Sequence, residues 1–548
     1  RMKPSKTGKK RVNISSKKVV KTRTSNKHSK THTSHKSLKK HVSIKTKSAE
    51  TAIGEKKKDE IIDSYNYDSK KIPIIITIKN TNEEYVPIYE VSISQISKTT
   101  ELILEKIRQQ LIKQVNLGII EITDTKKTDV IEEKFRATII VLVNKYFPDI
   151  DDNIKDFLIS YLIQKSLGLG SLEILMDDKQ LEEIVINSAT EPVWVFHKKH
   201  GWLKTTITIP EEDQTRHYAT MIGRKIGRQI TVLEPLLDAH LDAGDRVNAT
   251  LMPISTHGNT ITFRKFSRDP MTITHFLRYG TLTPYAAALI WTAMQFEMSA
   301  IIAGGTASGK TSTLNVLATF FPPNQRIISI EDTREIRLPK FLHWVPMSTR
   351  LPNSEGKGEV SMEHLLVNSL RMRPDRILVG EVRRKREAET LFEAIHTGHS
   401  VYATFHSNTA EETVKRLTNP PINVPRMMLP AISMIIMQFR NRRTGTRRTF
   451  QIAEILPNAE ANVLLQYDAK KDRLVQANKS KSLLSTLKLF TGFTDAEIHK
   501  TLQEKEKVLK YLVDMGIDTV DSVGHVIAEF YTNKSNLMKH ISAKKRLG

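Results

Sequence analysis

The run Gly304-Gly305-Thr306-Ala307-Ser308-Gly309-Lys310-Thr311 matches the spacing G-x-x-x-x-G-K-[ST] without a departure. Such a run is suited to holding a chain of phosphates. Its glycines let backbone N–H groups approach and wrap the anion, and the helix that follows adds partial positive charge at its N-terminus. Lys310 is placed to reach the terminal phosphates, and the Thr311 hydroxyl can ligate Mg²⁺. Ser312, next along the chain, completes the candidate nucleotide-binding set. The surroundings agree with that chemistry. An apolar, strand-like run from Ser299 to Ala303 leads in, and a helix-like segment from Lys310 to Phe320 leads out. The expected ligand is ATP with Mg²⁺.

Three further apolar runs end in polar residues of the type that phosphoryl chemistry uses. Arg326 to Ile330 ends at Glu331-Asp332, Arg376 to Val379 ends at Gly380-Glu381, and Ser400 to Phe405 ends at His406. Continuous apolar strands separated by helical segments predict a buried, mostly parallel sheet covered on both faces, with ligands beyond the carboxyl ends of its strands. One edge then collects a phosphate cradle, three carboxylates and a histidine. Hydrolysis of a triphosphate calls for a metal, a carboxylate to orient water and positive charge at the transition state. His399 and His406 stand seven apart, which puts them on opposite faces of one strand and argues against a shared metal.

In this order, the segments Arg326 to Thr333, Leu370 to Arg383 and Thr397 to His406 resemble the Asp box, the atypical Walker B and the His box of the secretion and pilus traffic ATPases. This is the type II/type IV secretion superfamily, and the resemblance covers about residues 170 to 460. The segment Asn419 to Pro425 after the His box points to the archaeal branch, the archaellum and type IV pilus motors, and the absent tetracysteine of many bacterial assembly ATPases fits that placement. The resemblance implies a homo-hexameric ring in which a smaller α+β domain precedes each RecA-like motor domain. It implies that Arg246 and Arg264 are nucleotide-contacting arginines, that Glu331 activates water, and that Glu381 is the metal-side carboxylate beside Thr311. The residues themselves leave the two carboxylates interchangeable. Glu331, Glu381, Arg246, Arg264 and His406 thus form the expected catalytic set. Gly380 stands where many phosphate-loop enzymes carry a metal-binding Asp, which shifts the expected metal ligation toward Thr311, water and Glu381.

These residues require an α/β architecture of several units, since 548 residues exceed a single core. The expected division is a basic tail at 1–58, a mixed, largely helical region at 59–167, an α+β domain at 168–278, the motor domain at 279–470 and a helical region at 471–548. Short strands are predicted at Lys71 to Ile78 and Val86 to Ile93, and helices from Thr99 to Gln114 and across Lys126 to Leu167. Ile139, Ile140, Leu142, Val143, Phe157, Leu158, Tyr161 and Leu162 are placed on the apolar helix faces. Strands follow at Leu181 to Asn187, Pro192 to His197, Leu203 to Ile209 and Thr260 to Phe266. Beyond the motor, helices are expected from Leu483 to His540, with a break at Met515 to Asp518.

The absence of cysteine excludes disulfides and thiolate zinc sites. No apolar run approaches the roughly 20 residues that span a bilayer, and the first residues show no secretory h-region. Arg426 to Phe439, broken by Pro430 and Gln438, is expected to be a buried core segment. Residues 1–58 hold 20 Lys and Arg against two Glu, a net +18 that leaves only +6 of the total +24 for the rest. Such a tail cannot offset its folding entropy, and it suits an anionic membrane surface or nucleic acid. The expectation is a cytoplasmic ATPase associated peripherally with the membrane. It would move a pilus-like filament, an archaellum or a type II-like secretion machine through a polytopic membrane platform protein. Two alternatives stand beside it: a conjugation-type ATPase that energises DNA or effector transfer, and an ATP-regulated nucleic-acid-binding protein. Diffuse charge outside the tail and only 6% aromatic residues give the last no stacking platform.

Overall fold

A computed structural model describes residues 59–547 apart from 71, 94–95, 97, 115–127, 167–168, 242–243, 267–269, 354–355 and 442. The basic tail expected at 1–58 therefore lies outside the described residues. Two nine-stranded sheets organise the rest.

The first sheet uses β1 (Glu60–Ser69), β2 (Ile72–Asn80), β3 (Ile88–Ile93), β4 (Leu181–Ile186), β5 (Pro192–His197), β6 (Gly201–Thr208), β7 (Leu236–His240), β8 (Arg246–Thr250) and β9 (Thr260–Arg264). They stand in the order β1-β2-β3-β6-β5-β4-β9-β8-β7. In β2 the alternation Ile72, Ile74, Ile76, Ile78 places every second side chain in the core, as a strand buried on one face requires. Leu104 and Ile107 of the helix Lys98–Gln114, Leu142 and Val143 of Thr128–Tyr146, and Leu158 and Leu162 of Asp152–Ser166 join the same apolar cluster. Ile140, expected on an apolar face, is exposed, because Ile139, Leu142 and Val143 define that helix's buried side. The regions expected separately at 59–167 and 168–278 share this one sheet and core. Their only strand-to-strand seam among the described residues is short and parallel, Ile88 opposite Lys204 and Tyr89 opposite Thr205.

The second sheet uses β10 (Ala300–Gly304), β11 (Arg326–Glu331), β12 (His343–Ser348), β13 (Arg376–Val379), β14 (Ser400–Phe405), β15 (Met434–Arg440), β16 (Arg447–Ile455), β17 (Ala461–Asp468) and β18 (Arg473–Gln476). Its order is β12-β11-β13-β14-β10-β15-β16-β17-β18. Strands from β12 through β15 run parallel, and β15 to β18 close the sheet as an antiparallel ladder. The sheet is therefore mixed, with its parallel half under the site. Every residue of β10, β13 and β14 is buried. Along β10, Ala300 and Ile302 enter one core while Ile301 and Ala303 enter the other, so both faces are covered. Of the Met-rich segment expected in the core, Arg426 to Phe439, the residues Leu429, Ile432 and Met434 to Gln438 are buried, the last five in β15, whereas Met427 and Phe439 are exposed.

The helices Leu483–Thr491, Asp495–Asp514, Val520–Thr532 and Lys534–Ser542 pack into one of the motor sheet's own cores. The expected break falls between the second and third. A buried carboxylate fastens this region to the sheet. Glu454 on β16 accepts hydrogen bonds from the backbone N–H groups of Lys481, Ser482 and Leu483 at 2.7, 3.1 and 2.7 Å, and from Ser480 Oγ and Asn462 Nδ2 at 2.7 Å each. The Ser482 and Leu483 amides are among the orphan donors that a helix start must satisfy. No helix among the described residues is long and apolar enough to cross a membrane.

Candidate functional site

β10 ends at Gly304, and Gly305 to Gly309 loop back before the helix Lys310–Ala318 begins. A Cβ on Gly304 would stand 2.6 Å from the carbonyl oxygen of Gln438, its register partner on β15, so the strand pairing there requires glycine. Gly309 turns the chain into the helix at φ 94°, and Ala307 also adopts a left-handed conformation at φ 57°. Turns of this kind gather successive N–H groups around a concavity that suits an anion. Ser308 Oγ donates to the Gly305 carbonyl at 2.8 Å, and Arg447 Nε, reaching over from β16, donates to the Ala307 carbonyl at 3.1 Å. The loop is thus braced from inside and outside. Thr306 lies exposed on its rim, and Thr311 and Ser312 open the helix beside it.

Lys310 is 9% exposed, with Nζ 3.2 Å from the Gly305 carbonyl and 3.4 Å from each ring nitrogen of His406. Burial lowers its proton affinity, and the nearby Glu381 carboxylate pulls the other way. No carboxylate forms an ion pair with it among the described residues, which leaves the cation for phosphate. His406 is likewise shifted toward its neutral form by burial and by the Lys310 charge.

Glu331 ends β11 at 1% exposure. Its Oε1 accepts from the backbone N–H groups of Glu335 at 2.8 Å and Ile336 at 2.9 Å, while Oε2 is buried without a hydrogen-bond partner. Burial pushes its carboxyl up to about 7, against the opposing pull of those two amides. A base that titrates near neutrality suits proton transfer from water. Gly380 lies against this residue: a Cβ there would be 3.2 Å from Glu331 Cα. That crowding is a physical reason for glycine in place of the more usual Asp.

Glu381 follows Gly380. Arg383 binds its Oε2 through Nε at 2.8 Å and Nη2 at 2.5 Å, and reaches Asp332 Oδ2 with Nη1 at 2.8 Å. His406 Nε2 stands 2.7 Å from Glu381 Oε1, close in distance but outside hydrogen-bond alignment. That buried oxygen, with the Thr311 hydroxyl, offers the hard oxygen donors that Mg²⁺ prefers, and a nucleotide's phosphates and water would fill the remaining positions. No cluster of three His, Asp or Glu side chains able to hold a metal occurs among the described residues. His399 turns back on its own loop, 3.1 Å from Thr397 Oγ1, away from His406.

Arg246 and Arg264 stand together but off the phosphate loop. Arg246 pairs with Arg264 across β8 and β9, and His240 pairs with Arg246 across β7 and β8, which makes one row along the sheet. Arg246 is held by Asp238 through Nε at 2.9 Å and Nη2 at 2.5 Å. Arg264 lies 3.5 Å from the Glu335 carboxylate. The row therefore faces the loop after Glu331. His240, Arg383 and Arg447 are site residues that the sequence did not single out. Arg383 could have been noticed two positions beyond Glu381, whereas His240 and Arg447 reach the site only through strand pairing.

Residues 237–462 match the family described as "Type II/IV secretion system protein". An uncharacterized protein of Methanocaldococcus jannaschii, MJ0900, is 32% identical over 384 residues, 68% of this chain and 69% of that protein. A Mycobacterium tuberculosis protein named for conjugal transfer, Rv3659c, is 30% identical over 309 residues, 54% of this chain and 86% of that protein. The crystal structure of the pilus retraction motor PilT with bound ADP is 20% identical, covers 63% of this chain and 93% of its own, and superposes with a TM-score of 0.39.

Proposed function

This chain belongs to the type II/IV secretion system family of ATPases, and from that premise we propose that it hydrolyses ATP with Mg²⁺ to drive a type IV pilus-like filament, an archaellum or a type II-like secretion machine. It acts as a homo-hexamer against a polytopic membrane platform protein, on the cytoplasmic face of the membrane. The observation that carries the reading is that Lys310, without an ion pair among the described residues, and a buried Glu331 that titrates near neutrality stand at the carboxyl ends of strands in the same parallel part of one sheet.

The phosphate loop and Lys310 bind and orient the triphosphate. Glu331 takes the proton of the attacking water at Oε2, the oxygen left without a partner. Thr311 and Glu381 hold Mg²⁺, which neutralises phosphate charge when bound. His406 keeps a neutral imidazole between Lys310 and Glu381, linking the cation that grips the phosphates to the metal-side carboxylate. Arg246 and Arg264 supply further positive charge when the two sheets close on a nucleotide.

Turnover by purified variants tests this. Lys310→Ala removes the main point charge on the terminal phosphates and abolishes hydrolysis. Glu331→Gln keeps nucleotide binding and loses turnover, whereas Glu381→Gln also changes the Mg²⁺ dependence. Wild-type turnover by Lys310→Ala sinks the site. A metal effect at Glu331 in place of Glu381 reverses the two roles. The Rv3659c similarity favours one second reading, an ATPase that energises conjugal transfer. Co-purification with a coupling protein in place of a platform protein would select it.

A further inference from the structure

Both amides that hold Glu331 belong to one short connection after β11, and the amino-terminal sheet grips that connection from the other side. His240, the last residue of edge strand β7, shares a 2.7 Å hydrogen bond through Nε2 with Thr333 Oγ1. Arg264, the last residue of β9, approaches Glu335 itself. Because His240, Arg246 and Arg264 are cross-strand neighbours, their side chains leave one face of the sheet as a row.

The ties are unequal. The Arg264–Glu335 pair is long and solvent-exposed, the kind of ion pair that contributes little. Arg246 is spent on Asp238. The His240 contact is short and half-buried, and burial together with the Arg246 charge keeps the imidazole toward its neutral form. His240 is therefore the firm attachment of the amino-terminal sheet to this connection.

We propose that His240 is a positioning residue for Glu331: its bond to Thr333 pins the connection so that the Glu335 and Ile336 amides stay on Glu331 Oε1 and Oε2 is left for the reacting water. The inference rests on the reading of Glu331 as the water-activating carboxylate. Its physical basis is a balance. Burial favours the protonated acid, and the two amide hydrogen bonds favour the carboxylate. If the connection drifts, burial wins and less of the base is ionised at neutral pH. The charged and titratable groups around Glu331 are Asp332, Arg334 and Glu335 on its own segment, and Glu381 and Arg383 beyond Gly380. Lys310 and His406 lie at the phosphate loop, and His240, Arg246 and Arg264 belong to the facing sheet. None of these besides His240 supplies a short bond to the Thr333 side chain among the described residues.

The test uses the full chain and compares His240→Ala, His240→Gln and Thr333→Val, each checked for wild-type circular dichroism. kcat and KM for MgATP are measured from pH 5.5 to 9, with the affinity of a non-hydrolysable ATP analogue. His240→Ala and Thr333→Val are each expected to lower kcat at pH 7 about fivefold, the weight of one neutral hydrogen bond. Both should move the acid limb of kcat to higher pH while KM and analogue affinity stay within about twofold. Glutamine at 240 can still reach Thr333 and restores kcat. The double variant His240→Ala/Thr333→Val is no worse than either single one, because both break the same bond. An unchanged kcat and acid limb in folded His240→Ala, or additive losses in the double variant, overturns the tether. So does a loss of analogue affinity, which would place His240 at the nucleotide. Wild-type turnover by Glu331→Gln would instead overturn the carboxylate's role, and the tether with it.

Discussion

Glu331→Gln should stabilise the protein, and should do so more at alkaline pH. In the folded chain burial raises this carboxyl from its ordinary 4.5 to about 7. A group raised in this way favours folding fully only while protonated, below its unfolded value. Its contribution is lost as pH climbs from about 4.5 through 7. At about 1.4 kcal/mol for each tenfold change in proton affinity, the full penalty above pH 7 is roughly 3 kcal/mol. At pH 5.5 only about two fifths of it has accrued, so the difference between pH 5.5 and 8 is about 2 kcal/mol. Glutamine still accepts the Glu335 and Ile336 amides but carries no charge, so it escapes the penalty. Any packing cost of its amide nitrogen beside the buried Oε2 position is the same at both pH values and cancels. Scanning calorimetry of nucleotide-free protein should show the Tm advantage of Glu331→Gln growing by roughly 2–4 °C from pH 5.5 to pH 8, at about 1–2 °C per kcal/mol for a folded unit of this size. A Tm difference that is flat with pH, or that shrinks toward pH 8, would refute the claim that Glu331 is a carboxyl held near neutrality.

Glu454→Ala strips the acceptor from three backbone amides and two side chains at the start of the C-terminal helices, and should cost about 3 kcal/mol or more as those buried donors lose their partner. A lower urea midpoint, with first proteolytic cuts between Gln476 and Leu483, would show it, and an unchanged midpoint would mean water replaces the carboxylate. Gly380→Asp brings the residue many phosphate loops carry but drives its Cβ against Glu331 Cα at 3.2 Å. It should lose about 1–3 kcal/mol of stability and most ATP turnover. Wild-type turnover at lower Mg²⁺ would show that the site tolerates the extra ligand.

How much of this was legible from the residues follows from how local each feature is. The phosphate loop and the strands that lead to Glu331, Gly380 and His406 are written in contiguous residues, and a run buried on both faces cannot be mistaken for an amphipathic element. β1, by contrast, reads Glu-Ile-Ile-Asp-Ser-Tyr-Asn-Tyr-Asp-Ser, with its first three residues exposed, and carries too little apolar alternation to announce a strand. β7 and β8 are five residues each, and polar residues interrupt both. The union of β1–β3 with the later strands depends on two register pairs separated by more than a hundred residues, a signal no window of sequence contains. The same limit hid His240, whose role exists only once β7 lies beside β8 and the row faces Thr333.

That row also explains why the two arginines expected at the nucleotide are not equivalent. If these arginines serve phosphate as proposed, each must first leave the partner that holds it here. Arg264 leaves a 3.5 Å, mostly exposed contact with Glu335, a pair of the kind worth about 1 kcal/mol or less. Arg246 would have to break two short bonds to Asp238 that match the planar fork of its guanidinium, and that partner also strengthens its hold on the proton. Release therefore costs little at Arg264 and more at Arg246. The partner that Arg264 would leave, Glu335, is also the residue whose amide helps to hold Glu331. The arginine more easily released thus touches the same loop that holds the carboxylate proposed to activate water.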